Sequence, residues 1–214
     1  MKPGARATLR WLLLAVLLAL AVLVALDPRW SSTADPTGGP QPAVRSPELD
    51  QLRAAAALQP CPAPAATAAP SGPLSGIVLP CLGAPGTVDL GAALAGRPAL
   101  LNLWGPLCRP CAEELPALAG YAAEPGAVPV IGVEVQRLPE GALQMLAALD
   151  VHYPSVSDPE GRLSAALHAP QVLPLSFVVA ADGRVSQVNP PRVLRSPAQV
   201  RAVVAHYLGP GAVG

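Results

Sequence analysis

The feature that most restricts how this chain can fold is a cysteine pair, Cys108 and Cys111, set just after a strongly apolar stretch. Residues 99–104 read as a buried strand, because apolar side chains fill both of its alternating faces. Gly105-Pro106-Leu107 breaks that run. Residues 108–123 then read as a helix, with Pro116 as an expected kink inside it. Two intervening residues let both sulfurs meet across the first helical turn. Cys108 then sits at the helix N-terminus, where free N–H groups and the helix dipole favour a thiolate. Arg109 adds positive charge, and Pro110 stiffens the turn. Cys108 is therefore the expected nucleophile, and Cys111, one turn further in, the thiol that resolves a mixed disulfide. A zinc site would need a second Cys/His pair of similar spacing, but His152, His168 and His206 are scattered. No metal and no cofactor is implied. A permanent structural bridge is the other alternative, though such bridges usually join distant segments rather than a single turn.

Elsewhere, strands are expected at 77–79, 128–135, 175–180 and 184–188, the last two joined by Ala181-Asp182-Gly183, a hairpin signal. Helices are expected at 88–95, 139–149, 161–168 and 197–208, the last capped by Ser196. This alternation predicts an α/β domain with a central mixed sheet flanked by helices.

The rest of the chain divides by composition. Residues 1–10 carry Lys2, Arg6 and Arg10 and read as a short cytoplasmic basic segment. Residues 11–26 are an unbroken apolar run, roughly 24 Å long as a helix. A charged start before such a run is an export signal. It is read as an uncleaved transmembrane signal-anchor, with cleavage near Ser32-Thr33-Ala34 as the alternative. The positive-inside rule places everything after it outside the cytoplasm. Residues 27–73 hold many of the 28 prolines of the chain and read as an extracytoplasmic linker. A short helix at 47–58, capped by Ser46, is expected within it. Residues 74–209 form the globular domain. With zero net charge and 13% charged residues, no basic surface is available for nucleic acid. Cys61 and Cys81 are the remaining cysteines of four. Outside the cell they are expected to pair as a structural disulfide; two free thiols, or exchange with the active pair, are the alternatives.

Several motifs, in order, give a family resemblance. They are Asn102-Leu103-Trp104 before Cys108-Arg109-Pro110-Cys111, Glu114-Leu115-Pro116, Gly132-Val133-Glu134-Val135, and Asp158-Pro159-Glu160-Gly161. Val172-Leu173-Pro174-Leu175-Ser176-Phe177 follows, then Asp182-Gly183-Arg184-Val185. Over residues 74–208 the chain resembles the TlpA/ResA/DsbE-like branch of membrane-anchored thioredoxins. The resemblance implies a thioredoxin-like fold and thiol–disulfide exchange, with reduction of exported proteins the favoured direction, as in cytochrome c maturation. Its implied partners are exported protein thiols or disulfides and a membrane or extracytoplasmic electron donor. It also implies that Leu173–Pro174 is a cis peptide facing the cysteines, with the backbone at Leu173 pairing with substrate. Glu114 is implied to manage the protons of the pair; on the residues alone it reads equally well as a solvated acid in the first helical turns. One departure is Leu107, where the family usually carries an aromatic, commonly Trp. Three other functions compete. A peroxiredoxin needs a Pro-x-x-x-Thr-x-x-Cys setting that is lacking here. A copper chaperone of related fold uses Cys-x-x-x-Cys and a downstream His. A non-catalytic scaffold would keep the fold without turnover.

Overall fold

The computed structural model describes residues 15–18, 46–64 and 72–209. The chain divides into two compact units, Met1–Val44 and Arg45–Gly214. In the first, residues 15–18 are helical; the rest of the apolar run at 11–26 lies outside the described residues. Among the described residues no helix is long and apolar enough to cross a membrane.

The second unit is built on a five-stranded sheet. Its strands are β3 (Ala99–Trp104), β4 (Val130–Glu134), β5 (Ser155–Ser157), β6 (Leu175–Val179) and β7 (Val185–Gln187), in the order β5-β4-β3-β6-β7. β3, β4 and β5 run parallel, and β6 and β7 are antiparallel additions. β1 (Val78–Pro80) and β2 (Thr87–Asp89) form a separate antiparallel ribbon. The ribbon reaches the sheet through a bridge between Cys81 and Val156.

β3 shows how the layers arise. Every residue in it is buried, and successive side chains point to opposite faces. Leu100 and Trp104 join one apolar cluster, with Cys111, Leu115 and Leu118 of α3 (Arg109–Ala122) and Val200, Val203 and Val204 of α6 (Pro197–Leu208). Leu101 and Leu103 join the opposite cluster, with Leu90 and Leu94 of α2 (Leu90–Leu94) and Leu163 of α5 (Arg162–Ala166). α1 (Pro47–Ala56) lies within the second unit and packs on α4 (Pro139–Ala148), burying Ala56 completely. Ser46 and Ser196 cap α1 and α6, each accepting an N–H from three residues on.

Two local expectations need correction. Residues 88–95 are not one helix: Val88 pairs with Leu79 in the β1–β2 ribbon, and α2 starts only at Leu90. Asp89 makes the break, its carboxylate capping Ala92 N at 3.0 Å. The short strand β5 has no counterpart among the strands the sequence predicts. Its Ser155 and Ser157 carry no apolar signal, yet both are buried beside β4. α3 continues through Pro116, whose ring is on the exposed side of the helix.

Candidate active site

β3 and α3 place the cysteine pair. Cys108 is the N-cap of α3, and its Sγ accepts the Cys111 N–H at 3.2 Å. The first helical N–H groups therefore point at the sulfur, the setting that lowers a thiol's pKa. The two sulfurs are bonded at 2.02 Å, so this is the oxidised form. The pair is asymmetric: Cys108 is half-buried and Cys111 is 1% exposed. An incoming sulfur meets Cys108 first. Leu107, beside it, is 78% exposed.

The loop carrying Cys108 is braced from the segment that follows β4. Gln136 Oε1 accepts the Leu107 N–H at 2.9 Å, and Gln136 N donates to Glu134 Oε1 at 2.6 Å. Gly105 makes room for this brace, since a Cβ there would lie 2.4 Å from Gln136 Oε1. Sequence reading did not single out Gln136, because its contact spans 29 positions.

Glu114 is one turn beyond Cys111, on the same helical face. It is 1% exposed, not a solvated acid. Asn102 Nδ2 donates to its Oε2 at 2.7 Å, and Leu194 N donates to its Oε1 at 2.9 Å. Burial pushes the Glu114 carboxyl above its usual range, against these two bonds, which favour the ionised form. Tyr153 lies near enough for the Glu114 charge to add to burial in raising its phenol well above the ordinary value. Trp104 Nε1, Tyr153 Oη and Asn102 Oδ1 are buried without a hydrogen-bond partner among the described residues. Gly132 lets the first two approach: a Cβ there would stand 3.0 Å from Trp104 Nε1 and 3.2 Å from the Tyr153 ring.

The Leu173–Pro174 bond is cis, as is Asn189–Pro190, which sequence reading did not anticipate. Leu175 pairs with Leu103, so Pro174 lies at the same end of the sheet from which β3 leads to Cys108. A cavity of about 480 Å³ opens there, lined by Leu103, Gln136, Arg137, Val172 and Leu173. Glu113 is exposed and pairs with Arg195 at 3.1 Å.

Cys61 and Cys81 are bonded at 2.03 Å, across a separation of 20 residues. Among the described residues no group of three or more His, Cys, Asp or Glu is arranged to hold a metal. His152 is engaged elsewhere, with Nδ1 against Ala56 O and Nε2 against Asp150.

Comparison with known proteins adds to this geometry. The Redoxin family model matches residues 62–203. The soluble secreted antigen MPT53 of Mycobacterium tuberculosis is 32% identical over 116 residues, 54% of this chain and 66% of that protein. The thiol:disulfide interchange protein DsbE of Xylella fastidiosa is 38% identical over 113 residues, 52% of this chain and 55% of that protein. The chain thus spans less than two thirds of either relative. Among solved structures, a secreted Mycobacterium tuberculosis disulfide oxidoreductase homologous to E. coli DsbE superposes with a TM-score of 0.55 at 27% identity, covering 63% of this chain and 97% of that one. M. tuberculosis DsbF, at 22% identity and a TM-score of 0.55, shares the fold over 63% of this chain and 96% of its own.

Proposed function

This chain belongs to the Redoxin family, and on that footing we propose that it is an extracytoplasmic thiol–disulfide oxidoreductase that reduces disulfides in exported proteins. The observation that carries the reading is the position of Cys108: half-buried, capping α3, and bonded to a buried Cys111. The relatives named for disulfide exchange support it.

In the reducing direction, the Cys108 thiolate attacks one sulfur of a substrate disulfide. A mixed disulfide forms, and the other substrate sulfur leaves as a thiolate. Cys111 then loses its proton and attacks Cys108 Sγ, which closes the Cys108–Cys111 bond and releases the second substrate thiolate. Two electrons pass from the protein to the substrate, and an extracytoplasmic or membrane dithiol donor restores them. Glu114 is the proton acceptor for Cys111, a task suited to a buried carboxyl with a raised pKa. The backbone at Leu173, beside the cis Pro174, pairs with an extended substrate segment. Residues 11–26 serve as the membrane anchor, with the domain on the outer side; if the segment is cleaved, the domain is secreted.

Cells expressing Cys111→Ser test the reading, because that variant keeps the nucleophile and lacks the resolving thiol. Mixed disulfides with exported proteins should accumulate through Cys108, and mass spectrometry should identify them. A redox titration tests the direction: a potential more negative than about −200 mV is expected, and one near about −120 mV would indicate an oxidant instead.

A further inference from the structure

The donors that grip Glu114 come from far along the chain. Asn102 lies on β3, on the sheet face turned toward α3, and is 1% exposed. Its amide nitrogen donates to Glu114 Oε2 at 2.7 Å and to Ser176 Oγ at 3.1 Å. Ser176 is the residue directly opposite Asn102 on β6, two positions past Pro174. The strand pairing that sets the cis-proline end of the sheet therefore also aims this amide. Asn102 Oδ1 has no partner among the described residues. A buried acceptor left unpaired is destabilising, and a leucine of similar volume would avoid that. Packing alone does not account for an amide here; its donor does.

We propose that Asn102 is a positioning residue for the exchange reaction, holding the Glu114 carboxyl in one orientation beneath the cysteine pair and favouring its ionised form. The inference rests on the reading of Glu114 as the proton acceptor for Cys111. Other groups offer the carboxylate little support. Among the described residues no cation pairs with it. On α3 itself its ionisable neighbours are Cys108 and Cys111, while Glu113 is turned outward to Arg195. From the segment before β5 comes the Tyr153 phenol, which opposes a second negative charge. From α6, Arg201 is taken by Glu124 at the surface. On β4, Glu134 is closed by its own donors, Gln136 N, Leu138 N and Ser157 Oγ. Glu114 is left with one neutral donor on each oxygen, from Asn102 and from Leu194. The first is the only side chain of the two, so it is the one that substitution can remove.

The test is the pH dependence of oxidation of the reduced, detergent-solubilised full chain by oxidised glutathione. Rates are compared for the wild type, Glu114→Gln, Asn102→Leu, Ser176→Ala and the double variant Asn102→Leu/Glu114→Gln. Glu114→Gln should delete one inflection from the profile. Asn102→Leu should move that inflection upward by about one to two pH units, the effect of losing a hydrogen bond to a charged group. Ser176→Ala should move it the same way by less. The double variant should match Glu114→Gln. If Glu114→Gln deletes the inflection but Asn102→Leu leaves it in place, the role of Asn102 is overturned while that of Glu114 stands. If Glu114→Gln leaves the profile unchanged, the proton-acceptor reading falls, and this inference with it. Should Asn102→Leu fail to fold, an unmoved inflection in Ser176→Ala overturns the proposal in its place.

Discussion

The two disulfides of this chain make a natural contrast. Each joins one half-buried cysteine, Cys61 or Cys108, to a buried one, Cys81 or Cys111. Exposure of the sulfurs therefore does not set them apart; the surroundings do. Cys108 ends a loop and caps a 14-residue helix whose N–H groups face its sulfur. Cys81 directly follows a strand, and its own N–H is spent on Gly86 O at 2.9 Å. A thiolate leaving from Cys108 is stabilised by the helix end; among the described residues Cys81 caps no helix. Chain separation differs too, at 3 residues against 20. One bond sits where a sulfur can be traded, and the other where it restrains the chain.

The sharpest way to break this contrast is to remove sulfurs from each bond in turn. Cys108→Ser should abolish reduction of a protein disulfide, whereas Cys61→Ser/Cys81→Ser should keep nearly the wild-type rate in a turnover assay. Comparable losses in both would erase the distinction. Next in size is stability. Removing the Cys61–Cys81 bond should lower the free energy of unfolding by about 3 kcal/mol, the chain-entropy effect expected for a closed loop of this length; urea titration under non-reducing conditions measures it. The smallest effect concerns the carboxyl beneath the active pair. Folding raises the Glu114 pKa, so the fold favours the protonated form. The stability this provides is complete below the unfolded-state pKa and is lost as pH rises through the folded one. As pH rises above the ordinary carboxylate range, the wild type should therefore lose stability relative to Glu114→Gln, as followed by urea titration across pH. Parallel stability–pH curves would show that the folded state does not discriminate between the two forms of this acid.

The parts of the molecule that can be read from the sequence are those whose signals are local. The apolar β3, the serines that cap α1 and α6, and the Cys108–Cys111 spacing all announce themselves within a few residues. The parts that cannot are assembled across the sheet. β5 escapes notice because Ser155 and Ser157 resemble loop residues, and become strand only through pairing with Gly132 and Glu134. Val88 and Asp89 read as helix because the capping role of Asp89 is indistinguishable, in sequence, from an interior position next to Val88. Asn102 was noticed as part of a motif, but its contact with Ser176 spans 74 positions and has no sequence signal. The brace from Gln136 is hidden for the same reason.

The margins of the five-stranded sheet carry one more consequence. β5 is an edge strand, yet Leu82 N donates to Ser155 O at 2.9 Å and Cys81 bridges Val156, so the segment tied down by Cys61 shields that border. At the opposite border β7 is three residues long and is followed closely by Pro190 and Pro191, which have no N–H to offer. An open strand edge is a template on which another chain can pair and aggregate. Here both borders are blunted, which leaves the end of the sheet that carries Cys108 free of that liability and open to approach.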